Sequence, residues 1–363
     1  MKESYKIAVI GCGYWGPNLI RNFNSLPQIN VKQVCDLDQK RLTHMKKLYP
    51  SVQTTTDVEE IIRDDETDAV AIATPVHLHY EPARRCMLAG KHTFIEKPMA
   101  SSVAECLNLI ELAEKENVTL MVGHTFVYSS AVQKMREIID AGELGDILYI
   151  SSQRLNLGLF QSDINVVWDL APHDISIILD ILGKEPIWVN GHGKAHFFDN
   201  IEDVATATLQ FDNGEIAFLH QSWLDPYKVR RMTVVGSKKM LVYDDVQTNE
   251  KIKLFDKRVE APPHYDTFAE FHFSYRYGDI YIPRLEECEP LKAECEHFVE
   301  CIKQNKPPKS DGHSGLKIVA ILEAICESMR NNGVAVGVND RNGKRVPSKE
   351  FWGAKGKKSS LVV

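Results

Sequence analysis

Glycines with a defined spacing lie near the start of the chain, in Gly11-Cys12-Gly13-Tyr14-Trp15-Gly16, between a strand-like and a helical segment. Glycine here lets the chain turn tightly, lets a pyrophosphate approach the backbone and lets the helix pack closely on its strand. Asp36 ends the next strand-like segment, where a carboxylate accepts hydrogen bonds from the adenosine ribose and repels a 2′-phosphate. A plain glycine turn with a solvated Asp36 is the alternative. We predict an NAD site that contains Gly11, Gly13, Tyr14, Trp15, Gly16 and Asp36.

A second group of polar residues follows two later strand-like segments. Thr74-Pro75, with His77 and His79, comes after one segment, and Glu96-Lys97-Pro98 comes after the next. Ligands of an open parallel sheet bind at the carboxyl ends of its strands. We therefore predict that Thr74, Pro75, His77, His79, Glu96 and Lys97 line the cofactor site. The Lys97 amine could polarise a substrate oxygen or share its proton. A solvent-facing lysine is the alternative on local sequence alone.

A third group lies in the second half of the chain, in Asp169-Leu170-Ala171-Pro172-His173. If a helix starts near Trp168, the i and i+4 spacing puts Asp169 and His173 on one face, with Pro172 in the first turn. Histidine can take a proton from an alcohol, and a nearby carboxylate stabilises its charged form. A helix cap beside a buried histidine explains the same spacing equally well.

The elements that must position these residues divide the chain in two. Residues 1–125 alternate short β-branched segments with amphipathic ones, which predicts parallel strands joined by crossover helices, a doubly wound α/β sheet. Predicted strands are Lys6–Ile10, Val31–Cys35, Ala69–Ala73, Thr93–Ile95 and Leu120–Gly123. Predicted helices include Gln39–Leu48, Tyr80–Ala89 and Val103–Lys115, and the last of these opens with a capping box, Ser102-x-x-Glu105.

Residues 126–340 have longer alternating segments, which predict an α+β domain with a mostly antiparallel sheet. Asp212-Asn213-Gly214 predicts a tight hairpin within this sheet. We predict irregular structure over residues 260–284, where no period is visible, and late helices at Leu291–Gln304 and Ser314–Arg330. Residues 341–363 form a basic tail, which is typical of a solvated segment.

Composition excludes several classes of protein. The chain has 363 residues, 44% hydrophobic and 26% charged, and a net charge of −7, values typical of a soluble two-domain protein and unlike those of a nucleic-acid binder. No apolar run is long enough to span a bilayer, and no secretion signal precedes the first strand, so we expect a cytoplasmic protein. The eight cysteines form no CxxC pair, and we expect reduced thiols and no metal site.

Taken together, the three groups resemble the Gfo/Idh/MocA oxidoreductases in order and spacing, over roughly residues 5–340. The resemblance implies an NAD(P)-binding Rossmann domain, a C-terminal domain with an open-faced sheet, and oxidation of a sugar or cyclitol hydroxyl. It implies that Lys97 and His173 handle the proton, assisted by Asp169, and it leaves open which is the formal base. It also implies a homodimer or homotetramer formed through the C-terminal sheet.

The segments around Gln161–Trp168 and Trp223–Arg231 are similar to a branch of the family that oxidises the 3-hydroxyl of nucleotide-linked amino sugars. Many relatives have glycines shortly before the Asp-x-x-x-His motif, and this chain does not. On this resemblance, the substrate is a sugar or nucleotide sugar, most simply a UDP-linked N-acetylated amino sugar. Its predicted contacts are Lys97, Arg154, Asn156, Asn165, Asp169, His173, Lys228, Arg230 and Arg231. Lys228, Arg230 and Arg231 suit a diphosphate.

Three alternatives stay open on sequence alone. An inositol or free-monosaccharide dehydrogenase would share the same catalytic residues. An NAD-dependent glycosidase would release a free sugar without net reduction of NAD. A non-catalytic sensor of NAD or sugars would bind without any redox change, since a fold does not fix a function.

Overall fold

The computed structural model describes residues 4–260 and 274–338. In chain order the first strands and helices are β1 (Tyr5–Ile10), α1 (Gly16–Asn24), β2 (Ile29–Cys35), α2 (Gln39–Leu48), β3 (Gln53–Thr55), α3 (Val58–Ile62), β4 (Ala69–Ile72), α4 (Tyr80–Leu88), β5 (His92–Glu96), α5 (Val103–Lys115), β6 (Leu120–Gly123) and α6 (Ser130–Asp140). They are followed by β7 (Ile147–Leu157), α7 (Val166–Leu182), β8 (Trp188–Lys194), β9 (Val204–Gln210), β10 (Ile216–Ser222), β11 (Leu224–Gly236), β12 (Met240–Asp244), β13 (Ile252–Glu260), β14 (Ser274–Tyr281), α8 (Pro290–Gln304), α9 (Gly312–Arg330) and β15 (Val336–Gly337).

The described residues form two compact units. The first contains residues 4–129 and 287–323, and the second contains residues 130–260, 274–286 and 324–338. The sequence-based division into 1–125 and 126–340 is linear, whereas residues 287–323 pack with the first unit. The cause is hydrophobic: Phe298 on α8 lies 5.7 Å from Phe94 and 6.3 Å from Phe23, measured between ring centroids. A segment far along the chain thus completes the first core.

The sheet of the first unit is parallel, with strand order β3-β2-β1-β4-β5-β6. All four residues of β4, Ala-Val-Ala-Ile, are buried, as expected for a central strand covered on both faces. The order places the carboxyl ends of β2, β1, β4 and β5 side by side. The predicted doubly wound α/β sheet is confirmed.

Helix α5 shows how the local sequence fixes an element's start. The Ser102 hydroxyl accepts the Glu105 N–H at 3.2 Å, as the capping box predicts. The Glu105 carboxylate reaches back to the Ser101 N–H, at 2.9 Å, rather than to that of Ser102. Two backbone donors at the start of the helix are still satisfied, so the helix begins where the motif predicts.

The sheet of the second unit has the order β14-β13-β12-β11-β7-β10-β9-β8-β15. Among the described strands, β10 runs parallel to β7 and the other neighbours are antiparallel. The predicted hairpin at Asp212-Asn213-Gly214 joins β9 to β10, and Gly214 has a positive φ of 94°. One sheet face carries buried residues such as Ile150, Leu219 and Val234, and α7 packs against strands β7, β9 and β10.

Two sequence expectations concern less regular segments. The prediction of irregular structure over 260–284 was wrong for residues 274–281, which form β14 and pair with β13. This strand is exposed along its whole length, so it lacks the buried and exposed alternation that would have revealed it. Residues 261–273 and the predicted basic tail at 341–363 lie outside the described residues.

None of the helices in the described part of the chain is both long and apolar enough to cross a membrane.

Candidate functional site

The glycine motif forms the turn between β1 and α1 in the first unit. Gly11 has a φ of +97°, and a Cβ there would lie 2.7 Å from the Ala73 carbonyl oxygen. A Cβ on Gly16 would lie 2.0 Å from the Gly11 carbonyl oxygen. Neither position tolerates a side chain, because α1 must begin directly against the end of its strand.

The start of α1 and the end of β2 have the geometry expected of a dinucleotide-binding site. Trp15, the N-cap of α1, makes no side-chain cap hydrogen bond within the described residues. Pro17 has no N–H and the Asn18 N–H donates to the Trp15 carbonyl at 3.0 Å, so the Gly16 N–H is the first-turn donor that can face a pyrophosphate.

Asp36 lies at the end of β2, where its carboxylate accepts the Cys12 N–H at 2.6 Å and the Asp38 N–H at 2.8 Å. Arg41 Nη1 is 3.5 Å from Asp36 Oδ2. Asp36 thus holds the glycine turn, and its contact with the adenosine ribose of NAD stays a prediction.

The turn after β4 positions the next predicted residues. Thr74 Oγ1 donates to the Leu78 carbonyl at 3.3 Å, and His77 is exposed on the short 3-10 turn that follows Pro75. His79 is 1% exposed, and its ring nitrogens lie 2.8 Å from the Pro98 carbonyl oxygen and 2.7 Å from that of Thr74. Burial lowers the pKa of His79. This histidine therefore ties the turn after β4 to the loop after β5.

Glu96 and Lys97 follow at the end of β5. Glu96 is buried, and burial raises the pKa of its carboxyl to about 8, although the nearby Lys97 ammonium acts in the opposite direction. The Lys97 backbone N–H donates to Glu96 Oε2 at 3.3 Å, and Lys97 itself is partly exposed. Burial, and then Lys97, lower the pKa of His124 to about 3, so its imidazole is neutral. Sequence analysis missed His124 because it stands outside the motifs.

Helix α7 carries Asp169 and His173 in the second unit. Asn165 is its N-cap: the Asn165 side-chain oxygen accepts the Trp168 N–H at 3.1 Å, and the amide nitrogen donates to Glu202 at 2.8 Å. Asp169 accepts the Trp223 indole N–H at 3.0 Å. His173 lies one turn further along the same face and is partly exposed. The predicted substrate contact of Asn165 stays a prediction, beside this observed role as a cap.

The expected position of Pro172 was wrong. Because α7 begins at Val166, Pro172 lies inside the helix and not in its first turn. Proline has no N–H, so the Trp168 carbonyl receives no intrahelical hydrogen bond from that position.

Arg154 and Asn156 lie on β7, two residues apart and on one strand face. The Arg154 guanidinium is buried and donates to Asp174 of α7, through Nε at 3.1 Å and Nη2 at 2.8 Å. This ion pair joins the helix to the sheet. Asn156 is partly exposed. The predicted contacts of both residues with sugar hydroxyls stay predictions.

Lys228, Arg230 and Arg231 lie on β11, which neighbours β7 in the sheet. Lys228 is exposed. Arg230 and Arg231 form ion pairs with Asp245 and Asp244, at 3.4 and 2.9 Å. Alternation puts Arg230 and Arg231 on opposite faces, and Lys228 lies where the register of β11 with β7 shifts. A diphosphate would have to share these cations with the two carboxylates, and the contacts stay predictions.

The eight cysteines are free thiols, and seven of them are buried. Cys301 Sγ lies 3.4 Å from His297 Nε2. Within residues 4–260 and 274–338, no three His, Cys, Asp or Glu side chains are grouped as metal ligands.

Comparisons with known proteins define the class first. Residues 5–124 match the model described as an oxidoreductase family with an NAD-binding Rossmann fold, and residues 132–242 match the GFO/IDH/MocA C-terminal domain. The chain is an NAD-binding oxidoreductase, and it belongs to the Gfo/Idh/MocA family. The family, fold class, enzyme class and NAD cofactor predicted from the sequence are confirmed.

Individual relatives are more distant. The UDP-N-acetylglucosamine 3-dehydrogenase of Acidithiobacillus ferrooxidans is 27% identical over 321 residues, which cover 87% of this chain and 94% of the relative. The myo-inositol 2-dehydrogenase of Thermotoga maritima is 26% identical over 342 residues, which cover 89% and 96%. A levoglucosan dehydrogenase solved with NADH and L-sorbose has a TM-score of 0.79 at 18% identity, and the match covers 93% of this chain and 100% of that one. At this identity, the likeness to the solved structure concerns the fold.

Proposed function

We propose that the protein is an NAD-dependent dehydrogenase that oxidises a secondary hydroxyl, at carbon 3, of a UDP-linked N-acetylated amino sugar. The observation that carries the proposal is the position of the residues that match the family motifs. Lys97 follows β5, and Asp169 and His173 lie one turn apart on α7. The resemblance around Trp223–Arg231 and the relative from Acidithiobacillus ferrooxidans support the substrate class.

The proposed chemistry divides the work among these residues. Bound NAD supplies the hydride acceptor. His173 accepts the proton of the substrate hydroxyl, and Asp169, four residues earlier on the helix, stabilises the charged imidazole. The Lys97 ammonium stabilises the negative charge that develops on the substrate oxygen. Binding holds the sugar carbon oriented for hydride transfer, which removes much of the entropic cost of the reaction.

Trp223 has a supporting part in this proposal. It is 1% exposed, and its indole N–H fixes one oxygen of the Asp169 carboxylate. A carboxylate held by a buried donor keeps its orientation through the reaction.

We further propose that the protein acts as a homodimer or homotetramer through the sheet of the second unit. The support is an exposed aromatic pair on this sheet, Tyr149 and Phe218, which are 41% and 44% exposed with ring centroids 6.2 Å apart.

A substrate panel tests the proposed function. UDP-N-acetylglucosamine, UDP-N-acetylgalactosamine, free N-acetylglucosamine, myo-inositol and scyllo-inositol are each incubated with NAD, and the absorbance of NADH is followed. We expect kcat/KM for a UDP-linked amino sugar to exceed that for either inositol by about 100-fold, since a diphosphate contact adds several kcal/mol of transition-state binding.

The other outcomes of the panel identify the rivals. A preference for an inositol would replace the proposal with the function of the Thermotoga maritima relative. Release of free sugar without net NADH would indicate a glycosidase. Binding of a sugar without any redox change would indicate a sensor.

A further inference from the structure

Two buried carboxyl groups lie in the core of the first unit, on elements almost 200 residues apart in the chain. Glu96 ends β5 and is 7% exposed, and Glu294 lies in the second turn of α8 and is fully buried. Glu96 belongs to a recognised motif, whereas Glu294 belongs to none. Burying an ionisable carboxyl is costly, so a second one requires an explanation.

The packing of β5 against α8 brings these carboxyls towards each other. Phe94 and Phe298 are in ring contact, with centroids 5.7 Å apart. Glu96 lies two residues beyond Phe94 on the same strand face, a step of about 6.6 Å. Glu294 lies four residues before Phe298 on the same helix face, a step of about 6 Å. The two steps are similar in length, so the carboxyls come close where the steps run in the same direction. The charge of Glu96 raises the pKa of Glu294, which agrees with this placement.

The neighbouring elements leave the pair incompletely hydrogen-bonded. Thr125 Oγ1 donates to Glu294 Oε2 at 2.8 Å, and the Lys97 N–H donates to Glu96 Oε2. Within the described residues, Oε1 of each glutamate is buried and has no hydrogen-bond partner. Gly123 of β6 leaves room for the Glu96 carboxyl, since a Cβ there would be 3.1 Å from it.

The charges around the pair are few. Lys97 is the cation that acts on Glu96, and the Trp15 indole also approaches the Glu96 carboxyl. Glu294 accepts the Thr125 hydroxyl, the charge of Glu96 raises its pKa, and the buried Cys295 thiol follows it on α8. His124 is buried, and the charge of Lys97 contributes to lowering its pKa.

We propose that Glu294 is a positioning residue for Lys97: its protonated carboxyl donates a hydrogen bond, directly or through one water, to the Glu96 carboxylate, and so holds the negative charge of the pair beside Lys97. Two carboxylates in one buried site cannot both be ionised, so the pair retains a proton. Burial raises the pKa of Glu96 to about 8, and burial and the charge of Glu96 raise the pKa of Glu294 well above its usual range. The Lys97 ammonium and the Lys97 N–H stabilise the charged form of Glu96, so Glu96 is the member of the pair that ionises as the pH rises, and Glu294 stays the donor.

The consequence concerns the reaction that we propose, and to that extent the inference rests on the proposed function. The Glu96 carboxylate stabilises the Lys97 ammonium, which in turn stabilises the substrate oxyanion. Without the donor, Glu96 ionises only at higher pH, because a hydrogen bond to the charged form lowers a pKa.

The test measures the ionisation of Glu96 directly and needs no substrate. In the full-length protein, the infrared carbonyl band of protonated carboxyls is titrated with pH, and the Glu96 band is assigned by its loss in Glu96→Gln. We compare Glu294→Met, which removes the donor but keeps an unbranched chain, with Glu294→Gln, whose amide can still donate. Glu296→Met is the matched control, since Glu296 is exposed on the same helix.

We expect a Glu96 midpoint near 8 in the unmodified protein, in Glu294→Gln and in Glu296→Met. In Glu294→Met the midpoint should rise by about one pH unit, the effect of losing one charge-assisted hydrogen bond. Once a substrate is found, the acidic limb of kcat should move in the same direction and recover in Glu294→Gln.

An unchanged midpoint in Glu294→Met would overturn the proposal, and so would an equal shift in Glu294→Gln. If Glu294→Met does not fold, Glu294→Leu serves in its place under the same criteria. The spectroscopic result is independent of turnover, so a protein that oxidises no sugar could still confirm the carboxyl pair, and an active dehydrogenase could still refute it.

Discussion

Asp36 has one observed contact and one predicted contact. It accepts the Cys12 N–H, which fixes the glycine turn, and we predict that the same carboxylate binds the adenosine ribose of NAD. Arg41, 3.5 Å away and half exposed, would be attracted to a 2′-phosphate if Asp36 were absent. We therefore expect the preference for NAD over NADP to depend on the balance between the Asp36 carboxylate and the Arg41 guanidinium.

Replacing Asp36 with alanine should change that choice. We expect the ratio of Kd for NADP to Kd for NAD to fall by about tenfold or more, because the repelling carboxylate is removed and Arg41 remains. Calorimetric titration with both cofactors measures the ratio. Asp38→Ala, which removes a more exposed carboxylate two residues away, should leave the ratio near its original value.

Adding Arg41→Ala to Asp36→Ala should abolish the gain in NADP affinity. An unchanged ratio in Asp36→Ala would mean that another residue determines the preference for NAD.

At this scale, sequence reveals residues whose local context is sufficient. The glycine motif, Asp36 and Lys97 are each recognisable from their neighbours in the chain, and the structure places all of them after parallel strands. Glu294 could not be found in this way, because its burial depends on Phe94 and Glu96 on a strand almost 200 residues away. A lone glutamate at the second turn of an amphipathic helix gives no local signal.

Among the elements, α7 contributes the most to the second unit. Its first turn holds the cap and Asp169, its second turn holds His173, and Asp174 on the adjoining face binds Arg154 of β7. The buried ion pair fixes the rotation of the helix about its axis. That rotation determines where Asp169 and His173 point.

Removing one partner of the Arg154–Asp174 ion pair should lower the free energy of unfolding much more than replacing both partners with apolar residues. Asp174→Ala leaves a buried guanidinium without its carboxylate, and we expect a loss of about 3–5 kcal/mol in the free energy of unfolding. The double variant Arg154→Met with Asp174→Leu should recover most of it. Urea denaturation followed by tryptophan fluorescence measures both.

The control is the exposed pair of Lys239 and Glu143, with side chains 33% and 41% exposed. Glu143→Ala should cost less than about 1 kcal/mol. A comparable small loss in Asp174→Ala would show that Arg154 does not depend on this partner.

The positions of helices and strands were largely predictable where the hydrophobic period and the capping residues indicate the same boundaries. Predicted ends of α2, α5 and β6 coincide with the observed ones. The start of α7 was misplaced by two residues, because Asn165 caps the helix earlier than the proline suggested. Strand β14 was missed because an edge strand exposed on both faces has no hydrophobic period.

For the whole molecule, the two structural units are only partly formed from continuous segments of the chain. The dinucleotide-binding unit requires residues 287–323 from late in the sequence, and α8 supplies both its aromatic contact and Glu294. Periodicity identifies each helix but not the core it joins, since that choice depends on contacts between distant segments. The order of the two domains could be predicted from the sequence. The packing of residues 287–323 with the first unit could not.

We propose above all that the protein transfers a hydride to NAD and that the Lys97 ammonium is essential because it stabilises the substrate oxyanion. This proposal is tested most directly by NADH formation, at saturating NAD and the best sugar substrate, in the unmodified protein, in Lys97→Ala and in Lys115→Ala, which changes an exposed lysine on α5. We predict a fall in kcat of about 10³-fold or more in Lys97→Ala alone, with Kd for NAD within about twofold of its original value. Turnover by Lys97→Ala at the rate of the Lys115→Ala control would contradict the account.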